Sequence, residues 1–164
     1  MFLRIFIVSV LLFVAAFGAH EVMHLLVIYA VGGSGAIIAR PWHFGYVDLT
    51  IWSLHAQPSG RLDIVRQSIV NFFGPFLAAI PFAAVLWYVR QPIAAAALAV
   101  NVVILVFYAV VELLDLLLEQ VWDTDVSLLT TPEFNYGVPL ALILVTALGV
   151  WLFDSRFGSS RIPD

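Results

Sequence analysis

Four long apolar stretches govern what this chain can fold into. They fall at about residues 2–31, 68–90, 93–119 and 137–153, and a helix needs about 20 apolar residues to cross a hydrocarbon core. The first stretch is apolar nearly throughout: apart from Arg4, its only charged or imidazole side chains are His20, Glu21 and His24. Charged residues make up 11% of the 164 residues, where a soluble domain carries roughly 25%. The expectation is an all-α integral membrane protein, multi-pass, with four transmembrane helices and a short strand or hairpin in the first loop. These spans leave a single membrane domain over residues 1–164 and no room for a soluble one.

The opening "MFLRIFIVSVLLFVAAFGA" has the basic start and small residues of a secretory signal. Its apolar run continues through Tyr29, so it reads as an uncleaved first helix. With four crossings both termini share a side. Arg4, Arg90, Arg156 and Arg161 collect there, against Arg40, Arg61 and Arg66 opposite, which leans towards cytoplasmic termini. The tryptophans Trp42, Trp52, Trp87, Trp122 and Trp151 fall near helix ends or in the first loop, as an interfacial aromatic belt requires. All seven basic residues are arginine and the net charge is -4, so no basic face invites nucleic acid; the expected partners are the lipid bilayer and other membrane proteins. Without cysteine, thiolate metal sites and cysteine nucleophiles are excluded.

"GGSG" at Gly32 to Gly35 ends the first helix. The membrane-associated loop 32–67 that follows is the most polar connection. Within it "YVDLTIWSLH", Tyr46 to His55, is β-branched, aromatic and roughly alternating, with Val47, Leu49 and Ile51 on one side. A strand or hairpin there either lies at the membrane surface or dips in against the helices, because unpaired backbone cannot face lipid. "VRQP" permits only a tight antiparallel turn, with Pro92 opening the third helix. An acidic loop, Glu119 to Tyr136, precedes the fourth.

The chemistry concentrates in the first helix. His20-Glu21-Val22-Met23-His24 fits H-E-x-x-H: residues i and i+4 share a helix face, so both imidazoles reach one metal ion, and the adjacent glutamate can take a proton from water on it. At membrane depth each ionisable group costs about 3 kcal/mol. Three within five residues therefore need a compensating partner, and a divalent cation is one. The alternative is a set of polar residues holding neighbouring helices by hydrogen bonds.

Catalytic zinc normally takes three protein ligands. His20 and His24 lie about 11 and 7 residues before the end of the first helix, ~16 and ~10 Å below that face. The third helix runs in the same direction, and "VVELLDLLLEQ" sets Glu112, Asp115 and Glu119 on one of its faces near the corresponding end. Asp115, about 7 Å deep, is the first choice for the third ligand, and Glu112 the alternative. Glu119, Asp123 and Asp125 read as solvated. In the second helix "SIVNFFGPFLAAIP" brings Asn71, able to hydrogen-bond substrate backbone or an oxyanion, and Gly74-Pro75, which favours close packing. Asn101, far from that face, reads as structural; His43 and His55 are auxiliary ligands or merely solvated.

With "AHEVMHLL", "NFFGPFLAA" and "NVVILVFYAVVELLD" in this order over about 100 residues, the chain resembles the site-2 protease family of intramembrane metalloproteases. That family also carries a membrane-associated sheet between its first two elements. The resemblance implies zinc as cofactor, His20, His24 and Asp115 as its ligands, and Glu21 as general base. Leu116 stands where the family usually has glycine, the prolines around the aspartate are missing, and the 164 residues hold no PDZ-like module.

The expected function is therefore zinc-dependent hydrolysis of peptide bonds in membrane-spanning or membrane-proximal segments, with Glu21 and Asn71 as the catalytic residues. The alternative is a non-enzymatic, protease-like membrane subunit that acts in assembly or packing of a larger complex. A two-metal carboxylate site is disfavoured, because Glu21-x-x-His24 has no second Glu-x-x-His to match it.

Overall fold

The computed structural model describes residues 1–44, 48–122, 129 and 131–157. Its elements in chain order are α1 (Phe2–Ala30), β1 (Gly35–Phe44), β2 (Leu49–Pro58), α2 (Ile64–Tyr88), α3 (Pro92–Gln120) and α4 (Pro132–Phe157). All four helices are long and apolar enough to cross a membrane.

The helix starts are set by local chemistry. Asp63 caps α2, its carboxylate accepting the Arg66 backbone N–H at 2.9 Å, so α2 begins before the expected Ser68. Gln91 caps α3 and Pro92 occupies its first turn, as the turn sequence predicts. Proline likewise opens α4, at Pro132, ahead of the expected start near residue 137. Asp123 and Asp125 lie outside the described residues.

On α1 the buried residues are Ile5, Ser9, Phe13, Ala16, His20, Glu21, His24, Val27 and Ile28. Steps of three and four make these one face. The opposite face, with Leu3, Leu11, Val14 and Leu26 exposed, is equally apolar. A soluble helix would put its polar residues outside; here they are inside, an arrangement that suits lipid surroundings.

β1 and β2 pair antiparallel, Gly35 opposite Pro58 and Phe44 opposite Leu49. The hairpin thus returns the chain to where it left α1, and the Ser59 N–H closes its base on the Ser34 carbonyl at 2.7 Å. α2 therefore starts at the end where α1 stops and runs back beside it. α1 and α3 touch each other and both remaining helices, whereas α2 and α4 pack on opposite sides of that pair. Phe13, Val100, Ile104, Tyr108 and Ile143 form the core of the α1–α3–α4 side, and Ala16, Ala78, Ala79 and Leu105 let α1, α2 and α3 approach closely.

Of the two positions open to the strand segment, the structure shows the one packed against the helices. Gly35 at the base is held by the Tyr29 hydroxyl at 2.9 Å, Ala56 lies against Glu21, and Ile51 and Trp52 border a groove with Phe13 and Val14. The hairpin therefore runs back down α1. Trp42, Phe44, Ser53 and His55 face the helices, where Tyr136 of α4 donates its hydroxyl to Ser53 at 2.7 Å and packs its ring on Trp42 and Phe44. Trp52 and Leu54 face outwards. Leu49 and Ile51 share a face as expected, while Val47 lies outside the described residues. Of the expected strand or hairpin, the structure shows the hairpin: β2 overlaps the strand-like segment that ends at His55, and β1 runs through Pro41, which is tolerated because both strands of a two-stranded sheet have a free edge.

Candidate metal centre

One turn of α1 carries His20 and His24, and their Nε2 atoms lie 2.6 Å apart. Glu112 of α3 completes the group, with one carboxylate oxygen 2.9 Å from His20 Nε2 and the other 2.9 Å from His24 Nε2. The three ligand atoms all fall within 4.8 Å of one another. Asp115, the first choice from the sequence, does not join them; the alternative, Glu112, does. Depth explains the exchange. Counted from the ends of α1 and α3, His20 and His24 lie ~15 and ~9 Å down, Glu112 ~12 Å and Asp115 ~8 Å. Glu112 is level with the midpoint of the imidazoles, whereas Asp115 is nearly one turn nearer the helix end.

These residues fit a divalent cation. Two imidazole nitrogens and a carboxylate this close are held together either by ring protons donated to Glu112 or by a metal ion between them. Tetrahedral zinc with bonds of about 2.0–2.1 Å separates its ligand atoms by roughly 3.3 Å, so each imidazole must draw back from Glu112 by about 0.4 Å and the two imidazoles must part by about 0.7 Å. Two imidazoles and a glutamate are also a donor set that catalytic zinc uses.

Packing aims the ligands. Phe17 and Tyr108 put their rings 5.9 and 5.4 Å from that of His20. The backbone carbonyl of Val70 on α2 meets the His24 ring, and Gly74, one turn further on, leaves that ring its space: a side chain at this position would overlap the imidazole. Asn71 donates its amide to the Glu112 backbone carbonyl at 3.2 Å and accepts from Gln67 at 2.7 Å, tying α2 to α3 at the level of the ligand.

A cavity of about 260 Å³ opens over the group, lined among others by His20, Glu21, His24, His55, Asn71 and Glu112. Glu21 is buried, and one of its carboxylate oxygens accepts the Ala56 backbone N–H at 2.6 Å. The general-base candidate is thus oriented by β2. His55, the residue before Ala56, forms part of the wall, and the Trp42 indole N–H donates to its Nε2 at 2.9 Å. Burial lowers the His55 pKa from the ordinary 6.5, helped by Arg40 and opposed by Glu21. His43 instead points to the surface, near Thr50 and Asp48. What separates the two histidines is strand parity: Ile51, Ser53 and His55 of β2 lie on the same side as Trp42 and Phe44 of β1, towards the helices, whereas His43 lies on the other, and that signal was present in the sequence once the hairpin register was known.

A second, larger cavity of about 1140 Å³ shares Pro58, Gln67, Asn71 and Glu112 with the first. Asp115 and Glu119 stand in its wall beside Arg61. It is the polar approach to the centre.

Compared with known protein families, with curated proteins and with solved structures, the chain matches none.

Proposed function

We propose that this chain is an intramembrane zinc metalloprotease of the site-2 type, which crosses the bilayer four times and hydrolyses a peptide bond in a membrane-spanning or membrane-proximal segment. The observation that carries the reading is the convergence of His20, His24 and Glu112 beside Glu21, in one cavity at helix depth. Three ionisable residues placed so close together on an otherwise apolar helix find their compensation in a bound cation.

His20, His24 and Glu112 would hold zinc, which supplies Lewis acidity: it lowers the pKa of a bound water towards neutrality and polarises a carbonyl. Glu21, fixed by the Ala56 N–H, takes the proton of the attacking water and returns it to the leaving amine. Asn71 braces Glu112 through one amide hydrogen and has a second to offer to substrate backbone. The hairpin supplies a strand edge along which a locally unwound substrate can lie extended. Water and polar substrate residues enter by the larger cavity.

Cleavage of dye-quenched casein by purified protein in detergent, with and without a chelator, tests the reading. Chelator-sensitive cleavage that disappears in Glu21→Gln supports it. A folded protein that neither binds zinc nor cleaves would leave the non-enzymatic membrane subunit as the better description.

A further inference from the structure

We infer that His55 is a further catalytic residue, a hydrogen-bond donor to the carbonyl oxygen of the scissile peptide. This rests on the protease reading and extends it to a residue that the H-E-x-x-H pattern does not include.

The Trp42 indole N–H can only donate, so His55 Nε2, 2.9 Å away, must accept. A neutral imidazole carries one proton, and with Nε2 accepting, that proton is on Nδ1. The two rings lie 16° from parallel with centroids 5.6 Å apart, which fixes the tilt of the imidazole as well as its tautomer. Among the described residues Nδ1 has no hydrogen-bond partner. The ring carrying it lines the cavity that also holds His20, Glu21, His24 and Glu112. Of the imidazole nitrogens in this cavity, those of His20 and His24 that converge on Glu112 are committed to the metal group; Nδ1 of His55 is a committed donor.

Its position on the strand adds a second constraint. Ala56 holds the base through its backbone N–H, and His55 is its neighbour in the same strand. The base and the donor are therefore coupled through one rigid element. Bond by bond, the water oxygen attacks the scissile carbon and its proton passes to Glu21. The carbonyl π pair moves to oxygen, where the His55 Nδ1–H meets the growing negative charge. When that pair returns, the C–N bond breaks and the proton on Glu21 goes to the amine. A donor aimed at developing charge acts more strongly in the transition state than in the bound substrate, so its removal lowers kcat and leaves KM nearly unchanged.

The test compares wild type, His55→Ala, His55→Asn and Trp42→Phe in cleavage of dye-quenched casein, with zinc content, thermal stability and affinity for a phosphonamidate peptide measured alongside. Asparagine places an amide N–H near the Nδ1 position, so it serves as the conservative variant. Expected are an about 100-fold loss of kcat in His55→Ala with KM and zinc content unchanged, substantial recovery in His55→Asn, an intermediate loss in Trp42→Phe, and a parallel loss of affinity for the phosphonamidate. His55→Ala with wild-type kcat, or a loss of kcat matched by loss of zinc, or no recovery by asparagine, overturns the assignment while wild-type cleavage keeps the protease reading standing. A wild type that binds zinc but shows no cleavage overturns both.

Discussion

Gly74 of α2 lies directly against the imidazole of His24, with no room between them for even a methyl group. A glycine of the next helix in the chain thereby determines how deeply the His24 ring can sit. Gly74→Ala should push the ring out of line with His20 and Glu112 and weaken zinc binding by about 10–100-fold, the range for changes behind metal ligands. Gly18 is the control, since a side chain there meets nothing within 4 Å; Gly18→Ala should keep wild-type affinity. Zinc titration against a competing chelator reads both.

Glu112 and Asp115 are separated by one variant pair. Glu112→Gln removes a charged ligand oxygen from a group held at 2.9 Å from both imidazoles, and should abolish stoichiometric zinc. Asp115 stands in the wall of the outer cavity, outside the three converging residues, so Asp115→Asn should leave zinc content intact, with at most a several-fold change in cleavage. The reverse pattern would return the ligand role to Asp115.

Glu21→Gln should retain zinc, because Glu21 is not among the three converging ligands and a glutamine oxygen can still accept the Ala56 N–H. Loss of the base should lower kcat by at least the ~10²–10⁴-fold expected of general acid–base catalysis. Metal analysis and cleavage on the same preparation check the two halves.

Stability should fall in mild acid through His55. Its pKa is below 6.5 in the fold, chiefly because it is buried, with Glu21, Arg40, His20 and Glu112 as the charged or titratable groups around it. Below about pH 6.5 the unfolded chain takes up a proton at this position that the folded chain resists, so folding weakens as pH drops through that window. A protonated ring would also set two donors, Nε2–H and the Trp42 indole, against each other. Thermal unfolding between pH 7.5 and 5.5 should show a larger decline in wild type than in His55→Asn.

The helices were legible in the sequence because long apolar runs admit few other folds, and H-E-x-x-H put His20 and His24 side by side because a helix spaces i and i+4 in a known way. What was not legible followed from the same local view. The choice between Glu112 and Asp115, by contrast, lay within reach of the helix-end count, which sets Glu112 ~12 Å down, between the two imidazoles, and Asp115 only ~8 Å. The sequence left strand and hairpin both open, and without the pairing of β1 on β2 there was no register to show that His55 and Trp42 face inwards while His43 does not. The grip of Ala56 on Glu21 joins residues 35 apart in sequence, and no local pattern announces it.

Whether His20, His24 and Glu112 hold a metal is decided by zinc content per chain, measured by elemental analysis on protein purified without added metal and compared with His24→Ala. Close to one zinc per wild-type chain and a strong loss in the variant are expected, with both proteins folded. A folded wild type without zinc, or a variant that retains it in full, would contradict the metal centre and the function proposed from it.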